Sequence, residues 1–116
     1  MARVTIFHNP ACGNSRGAME LLRERGVEFD TVLYLKNPPN RETLERIVAA
    51  LDGPVADLVR KDKRFEELGL KAPDYVEPKK IIDLLLKHPE LMQRPIVVSG
   101  KRAIIARPPD KLTALL

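Results

Sequence analysis

Cys12 is the only cysteine among the 116 residues, and its neighbours suit a reactive thiol. A small residue, an amide, a hydroxyl and a guanidinium follow it directly, as Gly13, Asn14, Ser15 and Arg16. A thiol becomes a nucleophile when backbone N–H groups or positive charges lower its pKa. The alternative is an inert core cysteine. Cys12 lies between Pro10 and Gly13 and outside any apolar stripe, which argues against that alternative. The sequence therefore predicts a nucleophilic thiolate.

His8 lies four residues before Cys12 and is the second candidate for thiol chemistry. A protonated imidazole would stabilise the thiolate, whereas the simpler interpretation is a polar residue at a strand end. With one cysteine, no intramolecular disulfide can form, so any redox turnover needs external thiols. Only Cys12, His8 and His88 could be nitrogen or sulfur ligands, which makes a structural zinc site implausible.

The elements around Cys12 place it where α/β proteins bind ligands. Alternating β-branched residues predict a strand over 2–7, and an apolar stripe at helical spacing predicts a helix over 15–25. A second strand is predicted over 29–35, so the order strand, helix, strand favours a parallel crossover. Loops that follow parallel strands and open a helix bind anions and lower thiol pKa values.

The rest of the chain alternates helical patterns with one hairpin. The predicted helical segments are 41–51 behind an Asn40 cap, 54–59, 65–70, a helix opening at Pro78, and 109–116. Two strands, 95–98 and 102–106, flank the turn at Gly100. We therefore expect one α/β domain over 1–116, with a mixed four-stranded sheet and a helical insertion at approximately 40–92 between the second and third strands.

Three arginines stand at junctions between predicted elements: Arg60, Arg94 and Arg107. The rigid fork of guanidinium donors suits tetrahedral oxyanions. Most arginines are nevertheless solvated surface residues, and the pattern favours only Arg94 and Arg107, at strand ends that face one edge of the sheet. The basic turn over 60–64 could be a solvated face or a weak phosphate-backbone patch.

Composition excludes several classes of protein. The net charge is +4, from 20 Lys and Arg against 16 Asp and Glu, and 44% of residues are hydrophobic, which argues against a disordered chain. No apolar run approaches the ~20 residues that a membrane span requires, and the first residues do not resemble a signal peptide. With five aromatic residues and no Trp, base stacking on nucleic acid is not expected. We expect a cytoplasmic monomer.

Several segments together resemble the glutaredoxin-dependent arsenate reductases. They lie in order and at matching spacing along essentially the whole chain: His8-Asn9-Pro10-Ala11-Cys12-Gly13-Asn14-Ser15-Arg16, Leu33-Tyr34-Leu35 with Asn37-Pro38-Pro39, Arg60-Lys61, and Arg94-Pro95-Ile96-Val97-Val98. The ending at Leu116 is most similar to the short, chromosomally encoded members of that family. The residue at position 14, Asn here, varies among members.

The resemblance implies a thioredoxin/glutaredoxin-like fold and a complete set of site residues. It implies that Cys12 is the nucleophile, that His8 lowers the thiol pKa, and that Pro95 follows a cis peptide bond. The implied oxyanion ligands are Arg60, Arg94 and Arg107. The implied substrate is arsenate or a similar oxyanion, with glutathione as co-substrate, glutaredoxin as partner and no bound cofactor.

Two alternatives to an arsenate reductase stay open. One is a binding module similar to redox-responsive transcription regulators of the same superfamily, which carry a Cys-x-x-Cys switch at this loop. Ser15 stands at the fourth position here and speaks against that switch. The other is a glutathione-dependent reductase of a different small substrate.

Overall fold

One mixed sheet organises the protein, whose computed structural model describes residues 4–116. The strands are β1 (Val4–His8), β2 (Phe29–Leu33), β3 (Ile96–Ser99) and β4 (Arg102–Ile105), in the spatial order β2-β1-β3-β4. β1 runs parallel to β2 and antiparallel to β3, and β3 and β4 form an antiparallel hairpin. The α-helices are α1 (Gly13–Glu24), α2 (Arg41–Ala50), α3 (Lys63–Glu67) and α4 (Pro78–Lys87).

This topology confirms the predicted thioredoxin-like sheet with helices inserted between β2 and β3. Four 3₁₀ segments complete the chain, at Val55–Leu58, Ala72–Asp74, Pro89–Leu91 and Pro109–Leu115. The second and third of these were not predicted, and the last replaces the predicted C-terminal helix. Of the predicted first strand, residues 2 and 3 lie outside the described residues.

The β1-α1-β2 unit forms because side chains alternate across β1. Val4 and Ile6 point to the face covered by α1, which buries Ala18 and Leu22 against them. Gly26 follows the C-cap of α1 as predicted, and its φ of 65° is a left-handed conformation that glycine adopts without steric cost. α1 begins at Gly13, two residues earlier than predicted, so Cys12 is its N-cap residue.

The opposite face of the sheet carries a second core. Phe7 and Ile96 point to this side, and α2 and α4 cover them with buried residues such as Ile47 and Ile81. Asn40 caps α2 as predicted, since its side chain accepts a hydrogen bond from the Thr43 amide at 2.9 Å. None of the helices described over residues 4–116 is long and apolar enough to cross a bilayer.

The C-terminal 3₁₀ segment packs beside α1 and fixes the chain after β4. A Cβ atom at Gly17 of α1 would lie only 2.9 Å from Cγ of Pro109, so the two segments approach as closely as a glycine allows. Pro109 is two residues beyond Arg107, and this contact therefore holds Arg107 near the start of α1.

Candidate active site

One edge of the sheet gathers the candidate residues. β1 ends at His8, which pairs with Leu33 at the end of its parallel neighbour β2. β3 begins at this same edge and β4 ends there, since Ile96 pairs with both Phe7 and Ile105. Four features therefore meet at this edge: the loop that holds Cys12, Tyr34 directly after β2, Arg94 and Arg107. This is where sheets of this kind place ligands.

The loop between β1 and α1 is held by its own hydrogen bonds. The Cys12 amide donates to the Asn9 carbonyl at 3.0 Å, and the Cys12 carbonyl accepts from the Arg16 amide at 3.0 Å. The Asn9 side-chain oxygen accepts from the Ala11 amide at 2.9 Å. Arg16 donates through Nη1 to the Pro10 carbonyl at 2.8 Å. This is the kind of contact that its predicted role of supporting the loop requires. These bonds fix the cysteine at the first turn of α1.

Cys12 is 8% exposed, and its surroundings favour the thiolate. Burial alone would raise the pKa of the thiol, but the Ser15 amide, the Arg94 side chain and the Asn14 amide outweigh it, and the pKa is lowered from the ordinary thiol value. The amides of Asn14 and Ser15 belong to the first turn of α1, where backbone N–H groups have no partner within the helix and can donate to the thiolate. Cys12 is therefore ionised more readily than a free cysteine.

Two of the three predicted arginines reach the thiol. Arg107 Nη1 donates to the Arg94 carbonyl at 2.8 Å and to Cys12 Sγ at 3.7 Å. Arg94 supplies the positive charge that lowers the Cys12 pKa. The Arg94–Pro95 peptide bond is cis, the geometry implied by the resemblance, and Arg107–Pro108 is also cis.

The segment that carries Arg60 pairs with the segment that leads to Arg94, a backbone contact that the sequence did not reveal. Val59 and Met92 form an antiparallel bridge, and the Arg60 amide donates to the Leu91 carbonyl at 2.7 Å. The segment before Arg60 thus runs beside the segment before Arg94. No contact joins the Arg60 side chain to Cys12 among the described residues, so its predicted role as an oxyanion ligand remains a prediction.

Two of the four cations in the basic turn over 60–64 pair with carboxylates. Arg60 pairs with Asp62 at 2.8 Å, and Arg64 pairs with Glu90 at 3.0 Å. Lys61 donates to two backbone carbonyls. The two ion pairs reduce the positive charge that this turn offers to a phosphate backbone.

His8 contacts Ser15 and is not among the groups that lower the pKa of Cys12. Its Nδ1 lies 2.8 Å from the buried Ser15 hydroxyl, which also accepts from the Asn9 amide at 3.0 Å. Burial, with the positive charges of Arg23 and Arg16, lowers the pKa of His8, so the imidazole is neutral near pH 7. The predicted stabilisation of the thiolate by a cationic His8 is therefore not what this geometry favours. His8 and Ser15 instead brace the loop.

Gly13 is not required by packing. A Cβ atom built there would meet nothing closer than Arg16 Nη2, at an ordinary 3.8 Å. Its predicted role, to let a ligand approach the backbone, remains a prediction. Within residues 4–116, no group of three or more His, Cys, Asp or Glu side chains is arranged to hold a metal ion.

Tyr34 is a site residue that the sequence analysis assigned to the second strand instead. β2 ends at Leu33, and Tyr34 follows it in a turn, fully buried. Arg94, Arg60 and Cys12 are close enough to act on the pKa of its hydroxyl. The sequence carried one signal, the Leu33-Tyr34-Leu35 segment of the family resemblance. The observed register of β1 and β2 sets Tyr34 beside the loop that carries Cys12.

The protein combines a thioredoxin-like sheet with one activated cysteine that lies beside two guanidinium groups. These features define a class of protein that uses a single reactive thiol and is suited to bind anions. The ArsC family model matches residues 7–115. An arsenate reductase of Escherichia coli is 41% identical over 117 residues, covering 100% of this chain and 82% of that protein. One of Neisseria meningitidis is 36% identical and covers 100% of both chains. The structure of an arsenate reductase from Vibrio cholerae is 31% identical, with a TM-score of 0.88 over 99% of this chain and 98% of that one. This chain belongs to the ArsC family.

Proposed function

We propose that this protein reduces arsenate to arsenite through the Cys12 thiolate, with glutathione and glutaredoxin as the external thiols. Membership of the ArsC family and the identity to arsenate reductases support the reaction. The observation that carries the mechanism is the placement of Cys12 at the N-terminus of α1, where backbone amides and Arg94 lower its pKa. A thiolate near neutral pH is the nucleophile that the first step requires.

In the first step, Cys12 Sγ attacks arsenic and one arsenate oxygen leaves as water. Arg94 and Arg107 bind the remaining oxygens and offset their negative charge, the role expected of preorganised guanidinium groups. Arg60 is the third ligand in this proposal, because its charge, like that of Arg94, acts on the Tyr34 hydroxyl beside the site. The step forms a sulfur–arsenic bond without changing the oxidation state of arsenic.

Reduction then draws on two further thiols, because the described chain has one cysteine. Glutathione displaces a second oxygen as water and forms a Cys12–arsenic–glutathione intermediate. The thiolate of glutaredoxin attacks the glutathione sulfur and forms a mixed disulfide, and the electron pair of the broken sulfur–arsenic bond reduces As(V) to As(III). Hydrolysis of the remaining sulfur–arsenic bond releases arsenite and restores the Cys12 thiol.

The test is an omission assay with purified protein, arsenate, glutathione and glutaredoxin. We expect arsenite to form only when all four are present, and Arg102→Ala to retain the activity because Arg102 pairs with Asp52 away from the site. Turnover without glutaredoxin would contradict the proposed reductant. If the complete mixture forms no arsenite but the protein reduces another small substrate with glutathione, then that compound and not arsenate is the substrate.

We also propose that the protein acts as a monomer in the cytoplasm. Its single cysteine is part of the site and must stay reduced between turnovers, which suits a compartment that glutathione keeps reducing. Light scattering over a range of concentrations tests the oligomeric state.

A further inference from the structure

The Tyr34 hydroxyl is a buried polar group with no partner. The side chain is 0% exposed, and over residues 4–116 nothing forms a hydrogen bond with its oxygen. The Asn9 side chain is near enough to act on the pKa of the hydroxyl, but the two groups fall short of hydrogen-bond geometry. Buried polar atoms in folded proteins are almost always hydrogen-bonded, so each exception needs an explanation.

The position of Tyr34 explains why its hydroxyl has no partner. The register of β1 and β2 pairs His8 with Leu33, so the residue after Leu33 lies beside Asn9 and the loop that carries Cys12. The charges of Arg94, Arg60 and Cys12 all act on the Tyr34 hydroxyl. Burial is the largest influence and raises the pKa of Tyr34, so the hydroxyl keeps its proton and remains a donor.

A second donor without a partner lies in the same place. Arg94 Nε is buried and forms no hydrogen bond with any group of the described chain. Arg94 is also the arginine whose charge acts on both Cys12 and Tyr34. A guanidinium donates and never accepts, so one ligand that satisfies Nε and the hydroxyl together must present acceptor oxygens. A tetrahedral oxyanion presents several.

We propose that the Tyr34 hydroxyl is a ligand of the oxyanion bound at Cys12, donating a hydrogen bond to one oxygen while Arg94 Nε donates to another. That the oxyanion is arsenate rests on the proposed function. Tyr34 differs from the arginines because its oxygen can also accept a hydrogen bond. It can therefore pair with a protonated oxygen of the anion, which the arginines cannot do.

Tyr34→Phe tests the proposal because it removes only the hydroxyl. The matched control is Tyr75→Phe, since Tyr75 packs edge-on against Phe65, on the helical side of the molecule. Removing a buried hydroxyl that has no partner does not destabilise the fold. We therefore expect the free energy of unfolding in urea to be unchanged or increased in Tyr34→Phe.

Anion binding is measured as protection of Cys12 from iodoacetamide by arsenate or phosphate, which needs no turnover. We expect Tyr34→Phe to weaken protection, and to lower kcat/KM for arsenate, by about tenfold or more, while Tyr75→Phe matches the wild type. Unchanged protection in Tyr34→Phe overturns the proposal, and so does loss of folding or stability, because the hydroxyl would then have a structural role.

The same measurements separate this proposal from the reductase function. If the wild type does not reduce arsenate but Tyr34→Phe still weakens protection by phosphate, the hydroxyl is an anion ligand and the reductase proposal is wrong. If the wild type reduces arsenate and Tyr34→Phe equals it in both protection and kcat/KM, Tyr34 is not a ligand and the reductase proposal stands.

Discussion

Arg94 is the arginine whose removal should cost the most activity. Its charge lowers the pKa of Cys12, and its buried Nε has no partner within residues 4–116. Arg94→Ala removes at least one charge-assisted contact to the anion, worth about 1.5–3 kcal/mol. At about 1.36 kcal/mol per factor of ten, kcat/KM for arsenate should fall by about 10- to 150-fold. Arg94→Lys should recover only part of the loss, because an ammonium lacks the two-pronged donor geometry.

The assay compares kcat/KM for arsenate with the pH dependence of Cys12 alkylation in the same variants. Arg94→Ala should also raise the alkylation midpoint, since the thiolate loses the positive charge and the side-chain hydrogen bond that lower its pKa. Arg102→Ala is the control, because Arg102 pairs with Asp52 and the Ala114 carbonyl, outside the site. Equal losses of kcat/KM in the Arg94 and Arg102 variants, with no change in midpoint, would refute the argument and indicate a diffuse positive field.

Three further predictions concern the loop that holds Cys12. Because the pKa of Cys12 is lowered, its alkylation rate against pH should have a midpoint below the ordinary value of about 8.5, and the rate should fall as the pH drops through that midpoint. His8→Ala should leave the midpoint nearly unchanged, since the pKa of His8 is lowered and its ring is neutral; an upward shift would show that a cationic His8 acts on the thiol after all. Ser15→Ala should reduce the free energy of unfolding by about 1–3 kcal/mol in urea titration, because the Asn9 amide and His8 Nδ1 lose their buried partner; an unchanged value would contradict the bracing role.

The sequence predicted those parts of the molecule that depend on local pattern. Alternation along β1, the apolar stripe of α1 and the left-handed glycine at position 26 are set by residues within a few positions of one another. The place of Cys12 at a helix N-terminus follows from the same local order. Assembling these elements into a thioredoxin-like sheet relied on the family resemblance as much as on the pattern.

The parts that sequence reasoning missed depend on contacts between distant segments. The segment of Arg60 lies beside the segment that leads to Arg94 because Val59 pairs with Met92, 33 positions along the chain, and no local pattern encodes that bridge. Tyr34 continues an apolar run, so pattern alone extends β2 through it, whereas the parallel pairing ends one residue earlier. The charge state of His8 depends on burial and on two arginines of α1, which the sequence alone does not place around it.

Cys12→Ser tests the central claim most directly. Serine is nearly isosteric but is a far poorer nucleophile near neutral pH, because its hydroxyl stays protonated. The measurement is arsenite formation by Cys12→Ser in the complete mixture with glutathione and glutaredoxin, alongside circular dichroism to confirm folding. We expect an intact fold with no turnover above background. Arsenite formation at the wild-type rate would contradict it, because the reaction would then not proceed through Cys12.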